Sequence, residues 1–192
     1  MILPIVAYGN PVLRKKGKDI DPGYPGLEGL IADMWETMYN SKGVGLAAPQ
    51  VNRDIRLFIV DSLQILSNLE EEEKNDFPGD DGYKGVFINA RINSIDGKEW
   101  LYNEGCLSIP KIREDIPRRE IVNLTFLDDH FTPHTLTFVG VTARVILHEY
   151  DHVDGKLFID YLKPLKRNLL KRKLDNISRG NITVDYKMSF VK

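Results

Sequence analysis

His148 and His152 stand four residues apart in the run HEYDH, with Glu149 directly after the first histidine. On a helix, residues four apart differ by about 40° in azimuth and about 6 Å in rise, so two imidazoles can close on one metal ion. The carboxylate beside them is then placed to act as an acid or a base. The same pattern also occurs on ordinary helices. A catalytic ion of this kind takes a third protein ligand and keeps a further position for water, so the rest of the chain must supply one more donor.

Three sources are open. Proteases that extend the pattern to HExxHxxGxxH use another histidine; here Gly155 fits, but Phe158 occupies the histidine position and cannot ligate. Thermolysin-like proteases use a glutamate from a later helix, and Glu149 is the last glutamate of the chain, with Asp160 and Asp175 as formal substitutes. The third source is Cys106, in the run EGCLSIP. A thiolate beside two imidazoles makes a Cys-His-His site, although most unpaired cysteines are inert apolar side chains. Taken by themselves, these residues allow a metallohydrolase, a zinc peptidase that cuts internal bonds, or a metal-stabilised binding module without catalysis.

GVGLAAPQ at 43–50, EGCLS at 104–108 and HEYDH at 148–152 resemble, in that order, the three signature segments of the peptide deformylase family. The likeness runs from Ile2, through the opening PIVAYGNPVLRKK, to Leu165. It implies that Cys106, His148 and His152 hold one metal ion per chain. That ion is Fe2+ by family preference, and Zn2+, Ni2+ or Co2+ can substitute. It implies that Glu149 carries protons, and that the Gln50 amide and the Leu107 N–H stabilise the oxyanion. The substrate is then an N-formyl-methionyl nascent peptide. Val44, Val141 and Val145 are expected to pocket the methionine, Gly45 to pair with the peptide backbone, and Arg113 to line the cleft. The chain departs from the family at Leu147, where Gln is common, in a longer insertion at 62–85, and in its tail, which carries ITVDYKM where some members end in one long helix.

The elements that must position these residues show in the periodicity. Leu27, Leu30, Ile31, Met34 and Met38 recur at three- and four-residue steps, which predicts a helix over 25–42 stopped by Gly43. The glycines and Pro49 of GVGLAAPQ predict an irregular, tightly packed loop. RLFIVD at 56–61 predicts a buried strand, and the acidic insertion at 62–85 a solvated surface loop without a role. Short strands are predicted at 86–89, 90–95, 99–102, 121–127 and 134–138, with Asp96-Gly97 as a hairpin turn. A helix over 141–153 carries the histidines. A second helix starts at Pro164, with Leu165, Leu169 and Ile177 turned to the core, and 182–188 is a candidate last strand. The expected fold is α+β, one domain over 1–192, with antiparallel strands packed around a central metal-binding helix.

Composition sets the bounds. With 192 residues, 42% hydrophobic and 28% charged, the chain can bury a full core. A net charge of -2 gives no general polyanion-binding surface, so no specific nucleic acid is expected as a partner. A contact of the basic segment 163–173 with the ribosome near the exit tunnel is open, but a solvated helix face is the simpler reading. Pro4, Gly9 and Pro11 interrupt the apolar start, and no apolar run reaches the roughly 20 residues that span a bilayer. No membrane association is expected. A single cysteine excludes an intrachain disulfide, and the expected compartment is the cytoplasm.

Overall fold

The computed structural model describes residues 1–191. Strand β1 (Ile5–Val6) leads to helix α1 (Leu27–Asn40), strand β2 (Gly45–Ala47) and strand β3 (Leu57–Asp61). Two short helices follow, α2 (Leu63–Leu66) and α3 (Glu71–Lys74). Then come the long strands β4 (Lys84–Cys106) and β5 (Ile109–Leu127), strand β6 (Pro133–Val139), helix α4 (Gly140–Val153), helix α5 (Pro164–Ser178) and strand β7 (Met188–Ser189). One antiparallel sheet has the order β2-β3-β4-β5-β6, and β1 pairs with β7 in parallel. The architecture is α+β, as the pattern of elements predicts.

β3 is buried along its whole length because helices cover both sheet faces. Phe58, Val60 and Phe87 pack with Val145 and Ile146 of α4, and the Phe58 and Phe87 rings stack 4.7 Å apart. Leu57, Ile59 and Ile88 point the other way, onto Met34 and Met38 of α1. The alternation follows from the two-residue period of a strand.

Several expectations are corrected. GVGLAAPQ is not irregular: Gly45–Ala47 forms the edge strand β2, paired to β3 from Gly45↔Val60 to Ala47↔Phe58, and Ala48–Val51 makes a 3-10 turn. α1 is stopped by Lys42 at φ 56° and not by Gly43. Gly43 is needed for space, since a Cβ there would meet Leu107 Cδ1 at 2.9 Å. Asp96-Gly97 is no hairpin. It sits at a register shift inside one continuous β4–β5 ladder, and the true turn is Leu107-Ser108, closed by Cys106↔Ile109. α5 buries Leu170, Leu174 and Ile177, while Leu165 and Leu169 are 75% and 70% exposed. Of the strand foreseen at 182–188, only Met188 is in β7.

Candidate metal centre and substrate cleft

α4 carries both histidines, and its start is held from an unexpected place. Asp80 accepts from the Thr142 N–H at 2.9 Å and also from the Thr142 hydroxyl, which meets Ser62 Oγ at 2.7 Å. A carboxylate here satisfies a helix N–H that has no partner within the helix and complements the positive end of the helix dipole. Segment 62–85 is therefore not a solvated loop without a role. It caps the histidine helix, and its Gln64 Nε2 reaches the Gly43 carbonyl at 3.3 Å.

His148 and His152 emerge on one face of α4, with ring centroids 5.1 Å apart. Cys106 comes from the end of β4 to meet them, its Sγ 3.3 Å from His152 Nε2, and one donor atom of each of the three lies within 4.8 Å of the others. Donors bonded to one tetrahedral ion sit about 3.5 Å apart, so the three fit a first-row divalent metal. The protonation of His152 agrees. Burial pushes His152 well below its ordinary pKa and so keeps the neutral form that ligates. Burial acts the same way on His148, but Cys106 and Glu104 outweigh it and raise its pKa, so an ion binding at that ring displaces a proton.

His148 Nδ1 meets Glu104 Oε2 at 2.9 Å, which orients the ring and leaves Nε2 for the cluster. Arg118 binds Glu104 at 2.7 Å and also reaches Asp151 at 2.7 Å, while Arg144 meets Glu104 at 3.0 Å. All four charged side chains are buried. Burial raises the Glu104 carboxyl, but His148 and Arg118 together hold it well below the usual carboxylate range. Sequence reasoning missed Arg144 and Asp151. Arg144 had a signal: it lies one helical turn before His148, a cation among the apolar residues of TARVIL.

Glu149 points into the site with Oε2 buried and unpartnered, and burial pushes its carboxyl up to about 7. It lies against Gly45, where a Cβ would meet Oε1 at 2.5 Å. Only glycine lets β2 pass this close. Gln50 is fixed by accepting from the Ala47 N–H at 2.8 Å, which turns its Nε2 towards Cys106 Sγ, 3.6 Å away, and Ser108 Oγ, 3.3 Å away.

These groups line a cleft of about 740 Å³ that Val44, Gly45, Leu107, Arg113 and Val145 also border. Val141 does not reach it. Two turns before His148, it is buried among the sheet aromatics, and Ile65 from the insertion borders the cleft instead. The Arg113 Nε is bonded to Asn103 Oδ1 at 2.8 Å. His130 and His134 lie away from the site, His134 paired with Asp128 at 2.8 Å, and Asp160 is engaged by Arg14 and by the Leu157 N–H at 2.9 Å. The cleft also receives Thr183, Val184, Asp185 and Tyr186 from the tail, which sequence reasoning did not connect with it.

Among the described residues the cluster has three donors, one short of a closed tetrahedron, and a free carboxyl stands at the opening. That is the arrangement of a hydrolytic metal centre and not of a structural one. Residues 2–168 match the family model for polypeptide deformylase. A peptide deformylase of Christiangramia forsetii is 52% identical over 99% of this chain and 96% of its own length, and one of Flavobacterium johnsoniae is 49% identical over the same shares. The crystal structure of a peptide deformylase from Legionella pneumophila superposes with a TM-score of 0.78 at 37% identity, covering 94% of this chain and 98% of that one. The chain belongs to the peptide deformylase family, hydrolases that remove the N-formyl group from newly made proteins.

Proposed function

We propose that Cys106, His148 and His152 hold one Fe2+ ion, for which Zn2+, Ni2+ or Co2+ can substitute, and that Glu149, Gln50 and Leu107 carry the deformylation of N-formyl-methionyl nascent peptides. The observation that carries this reading is the unpartnered Glu149 carboxyl, which lines the same cleft as Cys106 and His148 of the three-donor cluster. When bound, the ion acts as a Lewis acid, polarising the formyl carbonyl and lowering the pKa of water towards about 7.

Glu149 takes the proton of the water that adds to the formyl carbon and delivers it to the departing nitrogen as the C–N bond breaks. The products are formate and a free amine. A carboxyl pushed up to about 7 both accepts and donates near neutral pH, which suits the two halves of this task. The Gln50 Nε2 and the Leu107 N–H donate to the formyl oxygen as it gains negative charge. The geometry of Gln50 supports its part, because its oxygen is already occupied by Ala47.

β2 is the edge of the sheet and its Gly45 borders the cleft, where an extended peptide can be added as a further strand. Backbone pairing accepts many sequences beyond the first residue. Val44 and Val145, joined by Ile65, supply an apolar pocket for methionine, and Arg113 borders the peptide's path. The site of action is the cytoplasm, in one domain over 1–192. No helix among the described residues is long and apolar enough to cross a membrane. Lys166 of the basic helix pairs with Glu114 at 3.0 Å and Arg167 lies 3.8 Å from Asp160, which supports a solvated face there over ribosome contact.

The test compares kcat/KM for formyl-Met-Ala-Ser and acetyl-Met-Ala-Ser under identical metal loading. The formyl peptide should be strongly preferred, because the formyl carbon carries only hydrogen and is both the less hindered and the more electrophilic of the two. Comparable values would overturn the reading. For the metal, protein loaded with Fe2+ should lose activity in air faster than the Ni2+ or Zn2+ form, since both the ion and the Cys106 thiolate are oxidisable. Equal decay of the three forms would speak against an iron-thiolate site.

A further inference from the structure

The turn that carries Leu107 joins β4 to β5 with only two residues, and each part of it is held from outside. Cys106 belongs to the metal cluster. Ser108 accepts from the Tyr8 N–H at 2.8 Å through its carbonyl, and its hydroxyl lies 3.3 Å from Gln50 Nε2. Leu107 is held by the far end of the chain: the Tyr186 hydroxyl donates to the Leu107 carbonyl at 2.8 Å. The Leu107 carbonyl belongs to the central peptide of the turn and the Leu107 N–H to the peptide before it, so the tie to Tyr186 and the place of Cys106 in the cluster hold Leu107 on both sides of its Cα.

The tail that brings Tyr186 here is fixed at both ends. Beyond α5, Gly180 adopts φ 76° and lies so close to Phe190 that a Cβ would come within 3.1 Å of the ring, so the chain doubles back on itself. β7 is then tied to β1, the Ile5 N–H donating to the Lys187 carbonyl and the Ala7 N–H to the Ser189 carbonyl, each at 2.8 Å. Between these ties, Thr183 to Tyr186 form part of the cleft wall.

We propose that this C-terminal segment is a working part of the active site, and that Tyr186 is a positioning residue: its bond to the Leu107 carbonyl pins Leu107 from one side of its Cα while Cys106 holds the other, and the Leu107 N–H between the two ties keeps its direction. The proposal rests on the reading of the Leu107 N–H as a donor to the formyl oxygen. Holding that donor in place matters most when charge develops on the oxygen, so its loss belongs in kcat and not in KM.

The test is Tyr186→Phe, which keeps the ring and removes one hydroxyl. Deformylation of formyl-Met-Ala-Ser is followed together with metal content, thermal midpoint and, in Zn2+-loaded protein, the amide resonance of Leu107. A misplaced donor should lower kcat about tenfold, because a full 1 Å misplacement costs on the order of a hundredfold. KM, metal content and thermal midpoint should stay at the parent's values while the Leu107 amide signal shifts. An unchanged kcat would overturn the proposal. So would a loss of rate that follows a fall in thermal midpoint or metal content, since Tyr186 would then be a structural prop. If the parent itself releases no formate, the functional reading fails, and that outcome is distinct from an active parent with an equally active variant.

Discussion

A buried carboxyl oxygen without a hydrogen-bond partner is costly, and Glu149 carries one at the mouth of the metal cluster. Its position makes sense if water and the substrate nitrogen are its partners during turnover. Glu149→Gln should therefore abolish formate release while metal content stays close to one ion per chain, because the carboxyl moves protons and is not needed as a ligand. General acid–base catalysis is worth about a hundredfold or more, so activity within about tenfold of the parent would remove Glu149 from that role. Gly45 offers a second test of the same geometry. An alanine methyl would stand 2.5 Å from Glu149 Oε1. Gly45→Ala should displace the carboxyl and lower kcat, by about a hundredfold if the shift approaches 1 Å. Metal content should not change, and a variant with full activity would show that Glu149 can work from a different position.

Among the elements, α4 depends on residues far from it in sequence. Asp80 caps its first turn from the insertion, and a lost cap costs about 1 kcal/mol. Asp80→Ala should lower the urea midpoint accordingly, whereas Asp81→Ala, at an exposed neighbour, should not. Equal midpoints for the two variants would return the insertion to the status of a plain surface loop. The sequence made α4 legible because the period of a helix and the spacing of two metal ligands are both local. The insertion was opaque because a capping contact between Asp80 and Thr142 leaves no pattern in either segment. α5 shows a different limit. Leu165 and Leu169 share helical spacing, and so do Leu170, Leu174 and Ile177; periodicity finds both stripes but does not say which one meets the core. β4 and β5 were broken into pieces because Gly97 looks like a turn, while only the paired strand shows that it absorbs a register shift.

For the whole molecule, the three motifs announced the chemistry: Cys106, His148, Glu149 and Gln50 meet in one cleft, and the buried His152 completes the donor cluster behind them. The charges that support them were only partly visible. Glu104 and Arg118, with Arg144 and Asp151, form a buried network that no spacing rule describes. Burial of four charges in mutual contact depends on the packing of β4, β5 and α4 together. Val141 was misplaced for a related reason: helix geometry gives its face, but the depth of the cleft is set by the sheet beneath it.

The pairing of β1 with β7 joins residues near the two extremes of the chain through two residues from each side. Such a tie is short beside the five-stranded sheet, so the tail should open by local unfolding at a free energy well below that of the global transition. Amide exchange at Ile5 and Ala7, which donate to the tail, should then be faster than at Phe58 and Ile59 in the middle of the sheet. Because Tyr186 travels with that tail, rising urea should remove deformylase activity before it removes the tertiary signal of the sheet, and coincident curves would mean that the tail is part of the global cooperative unit.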